Sequence, residues 1–324
     1  MSFKDIRGQD RPIQILKSYI EESRLAGGYL FVGPEGMGKK IVAKTLAKAL
    51  NCQESTTDSC DKCPSCLKIE HGQHPDVHII ENDDPEIKIE YIRALQKEIS
   101  FKPYEGKRKV FIIDRAHRLN PESSNALLKI LEEPPKDSLI ILVTDKPMLL
   151  FKTIISRCKI LKFSPLKRTE LKEFLKDNYG LDNERAHFLA YFSEGRLGQA
   201  LRLKDADTLR EKNRIIDKFV LSPRLNLEDF SLKNREDVRG YLNILASWFR
   251  DIYLIKIGMP HAEIINLDRK PELLKTMTGF SFVQLNEILE SISDAILQLQ
   301  QNINVRLLLY NLSEDITYGA RRAT

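Results

Sequence analysis

Short, uninterrupted apolar runs alternate with helical spacings through the first half of the chain. Residues 29–32 (Tyr-Leu-Phe-Val), 110–113 (Val-Phe-Ile-Ile) and 139–143 (Leu-Ile-Ile-Leu-Val) contain no charged or turn-forming position. Such runs fit the central strands of a parallel sheet covered on both faces. Between them, Ile41, Val42, Leu46, Ala47 and Leu50 recur at a spacing that predicts a helix over 41–50. Another opens at Pro121 and runs through Leu131, and Pro134-Pro135 ends it. The alternation predicts an α/β layer that closes near Phe163.

The pattern changes after Ser164-Pro165. Residues 169–176 and 183–192 read as short amphipathic helices, and Gly195 and Gly198 mark the next turn. Further on there is no convincing strand. Tyr241, Leu242, Ile244, Leu245, Trp248, Phe249 and Ile252 form one apolar helix face. Leu285, Ile288, Leu289, Ile292, Ile296 and Leu299 form another. Core packing is the first reading of both stripes, and subunit contact the second.

Composition narrows the class. A length of 324 residues fits about two or three domains, and 42% hydrophobic residues are enough to build cores, which excludes a wholly disordered chain. Neither a run of about 18 apolar residues nor a secretory signal pattern is found, so the expectation is a cytoplasmic protein away from the membrane. The net charge of +5 permits nucleic-acid contact without requiring it, because 30% charged residues mostly describe a solvated surface. Lys107-Arg108-Lys109 is a basic run placed just before a predicted strand.

Two motifs carry chemistry. Gly33-Pro34-Glu35-Gly36-Met37-Gly38-Lys39-Lys40 fits G-x-x-x-x-G-K between a strand and a helix, the arrangement of a phosphate-binding loop. Gly33, Gly36 and Gly38 let backbone N–H groups face an anion, and Lys39 reaches its outer phosphates. The next position calls for a Ser or Thr hydroxyl on Mg²⁺, and here it is Lys40. The apolar run 110–113 ends in Asp114, a carboxylate suited to supporting the metal. Arg115 follows, where a hydrolytic site would place Glu. Two altered positions predict a nucleotide pocket with ATP and Mg²⁺ chemistry lost or impaired.

The second motif is Cys52-x7-Cys60-x2-Cys63-x2-Cys66, four thiols within fifteen residues of a polar loop. Four thiolates suit tetrahedral, structural zinc with no open position, and a redox pair or inert thiols are the alternatives. Cys158 stands apart as a small buried apolar residue.

Taken in order, these residues resemble one family. Gly8-Gln9, the phosphate loop, the cysteine insertion, Asp114-Arg115-Ala116-His117, residues 125–129 (Asn-Ala-Leu-Leu-Lys), residues 131–135 (Leu-Glu-Glu-Pro-Pro) and Ser156-Arg157-Cys158 follow the sequence of bacterial clamp-loader subunits, AAA+ proteins of the DNA polymerase III holoenzyme. Specific motifs cover about residues 1–205, and the helical remainder matches only in pattern. The resemblance implies an α/β AAA+ P-loop domain with a parallel sheet at 1–165, carrying a zinc insertion at 51–67. A helical lid at 166–207 and an all-α collar at 208–324 would follow. It further implies a hetero-pentamer with gamma/tau and delta subunits, acting on a sliding clamp and primer-template DNA.

Within that family a gamma/tau kind hydrolyses ATP and a delta prime kind is a stator with a degenerate site. Lys40, Arg115 and Gly198, which stands where the motor has its sensor arginine, all favour the stator, as does the absence of tau's extra C-terminal domains. The gamma/tau motor is the alternative. The resemblance makes Arg157, between Ser156 and Cys158, an arginine finger for a neighbour's ATP site, and puts Thr144 in the sensor-one place.

Overall fold

The three apolar runs become neighbours in one sheet. In a computed structural model they lie in β1 (Gly28–Val32), β3 (Lys109–Ile113) and β4 (Ser138–Thr144), with β2 (Val77–Ile80) and β5 (Lys159–Lys162) completing a sheet of order β2-β3-β4-β1-β5. Every pairing is parallel, with Gly28 opposite Ile140, Tyr29 opposite Lys159, Val110 opposite Leu139 and Val77 opposite Val110. The structure describes all residues except 82–83, 223–225, 227, 229, 233, 261–262, 300, 302 and 322–324; all of these but 82–83 fall within the span expected for the collar. It divides into two units, residues 1–166 with 196–198, and residues 167–195 with 199–324.

In the first unit, successive strand residues point to opposite faces. Tyr29, Phe31, Val110, Ile112, Leu139 and Ile141 share one core with Ile13 and Leu16 of α1 (Asp10–Glu21) and Val42 and Leu46 of α2 (Lys39–Asn51). Leu30, Phe111, Ile113, Ile140 and Leu142 share the other with Ile92 and Leu95 of α4 (Ile89–Ile99) and Leu127 and Leu131 of α5 (Pro121–Glu132). Both faces are covered, which is why β3 and β4 tolerate no exposed residue. Each fully buried Leu or Phe contributes about 1.5–3 kcal/mol. The edge strand β5 is different: its ends are Lys159 and Lys162, and only Leu161 is buried. Lysines on an edge discourage pairing with another chain. The start of α5 follows from its cap, where Asn120 accepts from the Ser123 N–H at 2.9 Å and Pro121 fills the first turn.

The second unit, among its described residues, is helical: α7 (Arg168–Tyr179), α8 (Asn183–Phe192), α9 (Leu197–Asp205, its first two residues in the first unit), α10 (Thr208–Ile215), α11 (Arg235–Lys256), α12 (Lys270–Met277), α13 (Phe282–Gln298) and α14 (Val305–Arg321). Gly180 closes α7 in the left-handed region. Gly198, read above as a turn residue, lies in the first turn of α9. All seven residues of the first apolar stripe are buried on α11, while Leu289 and Ile296 of the second are only half-buried. Two buried charges are satisfied. The fully buried Lys212 donates to both Asp268 oxygens at 2.6 Å, and Asp251 accepts from the Ile265 and Asn266 N–H groups at 3.1 and 2.8 Å.

Candidate functional site

The carboxyl ends of adjacent parallel strands are where open α/β sheets bind ligands. Here β1 runs into the phosphate loop, β3 into Asp114, and β4 ends at Thr144. The Gly33 N–H donates to the Thr144 carbonyl at 3.3 Å, which ties loop to strand. Gly38 caps α2 with φ +77°, a left-handed conformation that turns the chain into the helix and that L side chains rarely adopt.

Lys39 is buried and folds back over its own loop, donating to the Gly33 carbonyl and to that of Pro34 at 2.6 Å. Burial pulls its pKa below the ordinary lysine value, against the opposing charges of Asp145, Asp114 and Glu35. Lys40 points elsewhere and forms an ion pair with Glu81, just beyond β2. Position 40 thus offers no hydroxyl where a metal ligand was expected, and its ammonium is engaged by a carboxylate instead. Asp114 accepts from the Arg115 N–H at 2.9 Å, and Arg115 itself sits at φ +51°.

The buried Thr144 hydroxyl lies 3.1 Å from His117 Nδ1 and accepts from the Lys146 N–H at 3.0 Å. His117 also lies 3.2 Å from Asp145, and burial lowers its pKa. His117, Asp145 and Glu81 were missed as site residues in the sequence. His117 stood inside a quoted motif, whereas Glu81 carried no signal because it lies 41 positions from Lys40.

Gly198 meets the phosphate loop directly. Its N–H donates to the Gly36 carbonyl at 3.0 Å, and a Cβ at this position would sit 2.9 Å from that oxygen. No side chain fits there without moving the loop.

The second site hangs from the far end of α2. Cys52 follows the helix directly, and Cys63 caps α3 (Pro64–Glu70), so the insertion expected as a loop is helical in its second half. The four Sγ atoms of Cys52, Cys60, Cys63 and Cys66 all lie within 4.8 Å of one another. Four thiolates about 2.3 Å from one zinc would be about 3.8 Å apart, so this donor set fits a tetrahedral ion. Backbone N–H groups of Ser55, Cys63 and Cys66 point at sulfurs of Cys52, Cys60 and Cys63 at 3.3, 3.3 and 3.5 Å. Burial alone would raise the Cys52 thiol, but N–H groups of Glu54, Cys60 and Ser55 outweigh it and bring it down to about 7. Burial pushes Cys66 the other way, so the cluster keeps protons that a cation would displace. His71 and His74 are not among these ligands; His74 Nδ1 accepts from the Asp76 N–H at 3.1 Å.

A buried ionic knot fixes the insertion. Lys48 of α2, almost fully buried, reaches Asp61 at 2.6 Å and Glu70 at 2.7 Å. Of the basic run, Lys109 is buried and donates to the Glu98 carbonyl at 2.9 Å, while Lys107 stays exposed and donates to the Cys52 carbonyl at 2.6 Å.

The third site is Ser156-Arg157-Cys158, after α6 (Lys152–Ile155). Cys158 is buried and its thiol is pushed up to about 12, so it packs rather than reacts. Arg157 lies on the surface beside Ser156 and pairs with Glu132 at 2.7 Å.

A parallel sheet of order β2-β3-β4-β1-β5 with a phosphate loop after β1 and an acidic residue after β3 defines an AAA+ P-loop domain, and a helical domain follows it. Residues 8–167 match the family described as DNA polymerase III, delta subunit, and residues 212–313 its C-terminal part. A DNA polymerase III subunit delta prime of Bacillus subtilis is 32% identical over 94% of both chains. Tau/gamma of Haemophilus influenzae and tau of Escherichia coli are 34% and 37% identical over 70% and 63% of this chain, which spans only about a third of each of them. A gamma-subunit-related protein of Thermotoga maritima aligns at a TM-score of 0.47 and 18% identity over 96% of this chain, a likeness that adds nothing to the assignment. The chain belongs to the delta prime family of DNA polymerase III clamp-loader subunits.

Proposed function

We propose that this chain is the stator of a clamp loader and donates Arg157 in trans to the ATP site of an adjoining gamma/tau subunit. The observation that carries the reading is the split within one tripeptide: Cys158 anchors it in the core while Arg157 stands at the surface. A guanidinium is always charged and forks onto phosphate oxygens, which suits it to stabilise a transferring phosphoryl group. At the chain's own loop, the Lys40–Glu81 pair and the Gly198–Gly36 bond support impaired hydrolysis and oppose the gamma/tau motor reading.

The four cysteines hold structural zinc in this reading, and the ion would supply only cross-linking. The partners are gamma/tau and delta subunits in a hetero-pentamer that places a sliding clamp on primer-template DNA in the cytoplasm. Residues 166–207 serve as the lid and residues 208–324 as the collar. Among the described residues no helix is long and apolar enough to cross a membrane.

The test is Arg157→Ala in a loader reconstituted with gamma/tau and delta subunits. DNA-stimulated ATP hydrolysis should fall while the complex still assembles. Undiminished hydrolysis would overturn the reading.

A further inference from the structure

The motif at residues 131–135 has had no role so far, yet it meets the Arg157 tripeptide at two levels. Below the surface, Leu131 and Cys158 belong to one apolar core, and both close on Gly28, where a Cβ would lie 2.8 Å from Leu131 Cδ2 and 3.5 Å from Cys158 Sγ. Pro134 packs as closely on Gly27, where a Cβ would come within 2.2 Å of its ring. At the surface, the chain neighbour of each core residue forms the ion pair: Glu132 Oε1 accepts from Arg157 Nη2 at 2.7 Å. Arg157 Nη1 donates to the Thr153 carbonyl at 3.1 Å and lies 3.4 Å from Ser156 Oγ.

These contacts matter because a free arginine side chain samples many rotamers. Glu132 is the last residue of a capped twelve-residue helix seated in the core, so its backbone is held in place while its half-exposed carboxylate reaches the arginine. It takes one arm of the guanidinium, and the Thr153 carbonyl takes the other. The planar fork carries five N–H donors, so both arms can be held while donors remain for an incoming anion. About a third of the Arg157 side chain remains open to solvent.

We infer that Glu132 is a positioning residue for Arg157: it pre-orients the guanidinium towards a nucleotide phosphate of the adjoining subunit. The inference rests on the trans-donation reading above. Glu132 touches neither nucleotide nor metal in this scheme and acts only through the arginine. An isolated surface pair of this kind contributes little to stability, so its removal should leave the fold intact.

The experiment uses a reconstituted loader in which only the subunit receiving Arg157 keeps a working phosphate-loop lysine. Glu132→Ala should lower kcat at that site by about tenfold and leave KM for ATP unchanged, because orientation is lost and not binding. Glu132→Asp should restore activity to within about threefold of the parent. Arg157→Ala should cost about a thousandfold, and adding Glu132→Ala to it should cost nothing more. Full activity in both Glu132→Ala and the isosteric Glu132→Gln, with Arg157→Ala impaired, would overturn this inference alone. Raised activity would also overturn it, marking the pair as a restraint. Full activity in Arg157→Ala would overturn the trans-donation reading and this inference with it.

Discussion

Lys40 and Lys39 are adjacent in sequence and do different work. Lys39 satisfies the carbonyls of its own loop, while Lys40 leaves the loop for Glu81. With lysine at position 40 the loop has no hydroxyl to ligate Mg²⁺, and its ammonium is already paired with Glu81. Lys40→Ser should therefore make ATP binding depend on Mg²⁺, with at least about a tenfold difference in affinity between titrations with and without the metal. Equal affinities in the two conditions would show that Lys40 is not what sets the metal dependence. The positions of Lys39, Asp114 and Thr144 could be proposed from the sequence, the first from the glycine spacing of its loop, the second from the apolar run it follows and the third from the family resemblance. Those of Glu81, Asp145 and Glu132 could not, because they act across strands and helices far apart in the chain. The burial of Lys109 was equally hidden: a charge run does not say where its side chains point.

At the scale of elements, the cysteine insertion is fixed by Lys48, and the zinc proposed for its four thiols would fix it a second time. Removing metal with a chelator should lower the thermal transition of the first unit without changing the helical content of the second. Circular dichroism and calorimetry on the same sample would check this, and an unchanged transition would exclude a stabilising ion. The ionic knot also predicts a pH effect. Hydrogen bonds from Lys48, then Lys44, hold the Glu70 carboxyl at about 2, below its ordinary 4.5. Its contribution is complete above pH 4.5 and is lost as pH falls from there towards 2. Glu70 is half exposed, so the loss should be under about 1 kcal/mol, and Glu70→Gln should remove that part of the stability profile. The strands β1, β3 and β4, α2 and the interruption at Pro134-Pro135 were readable because period and punctuation agree, whereas the edge strands β2 and β5 were not, being short and only partly buried. The helix α3 was not, because the insertion's polarity reads as loop and a capping cysteine is an unusual start.

Across the whole molecule, the two units rest on different physics. The first is a sheet with both faces covered, and the second is a helical core pinned by buried charge pairs. Asp268→Ala would strand the Lys212 ammonium without its partner in an apolar setting, at a cost of about 3–5 kcal/mol in denaturant unfolding. This loss and that from metal removal share no partner in the described contacts, so the two should add. A loss below about 1 kcal/mol would mean that Lys212 finds water or another acceptor. Nothing in the sequence marked this pair, because Lys212 and Asp268 are 56 positions apart.

The close seat of Gly198 on Gly36 also bears on ancestry. Nothing in the backbone stands against a hydroxyl at position 40 or a carboxylate at position 115, since both positions already carry side chains. Regaining an arginine at 198 is different, since its first carbon would already collide with the loop that it must serve. That step requires the loop to shift first, and a shift without the arginine brings no benefit. Closed around a glycine, the loop makes arginine at 198 a change of two parts, where the changes at 40 and 115 need one.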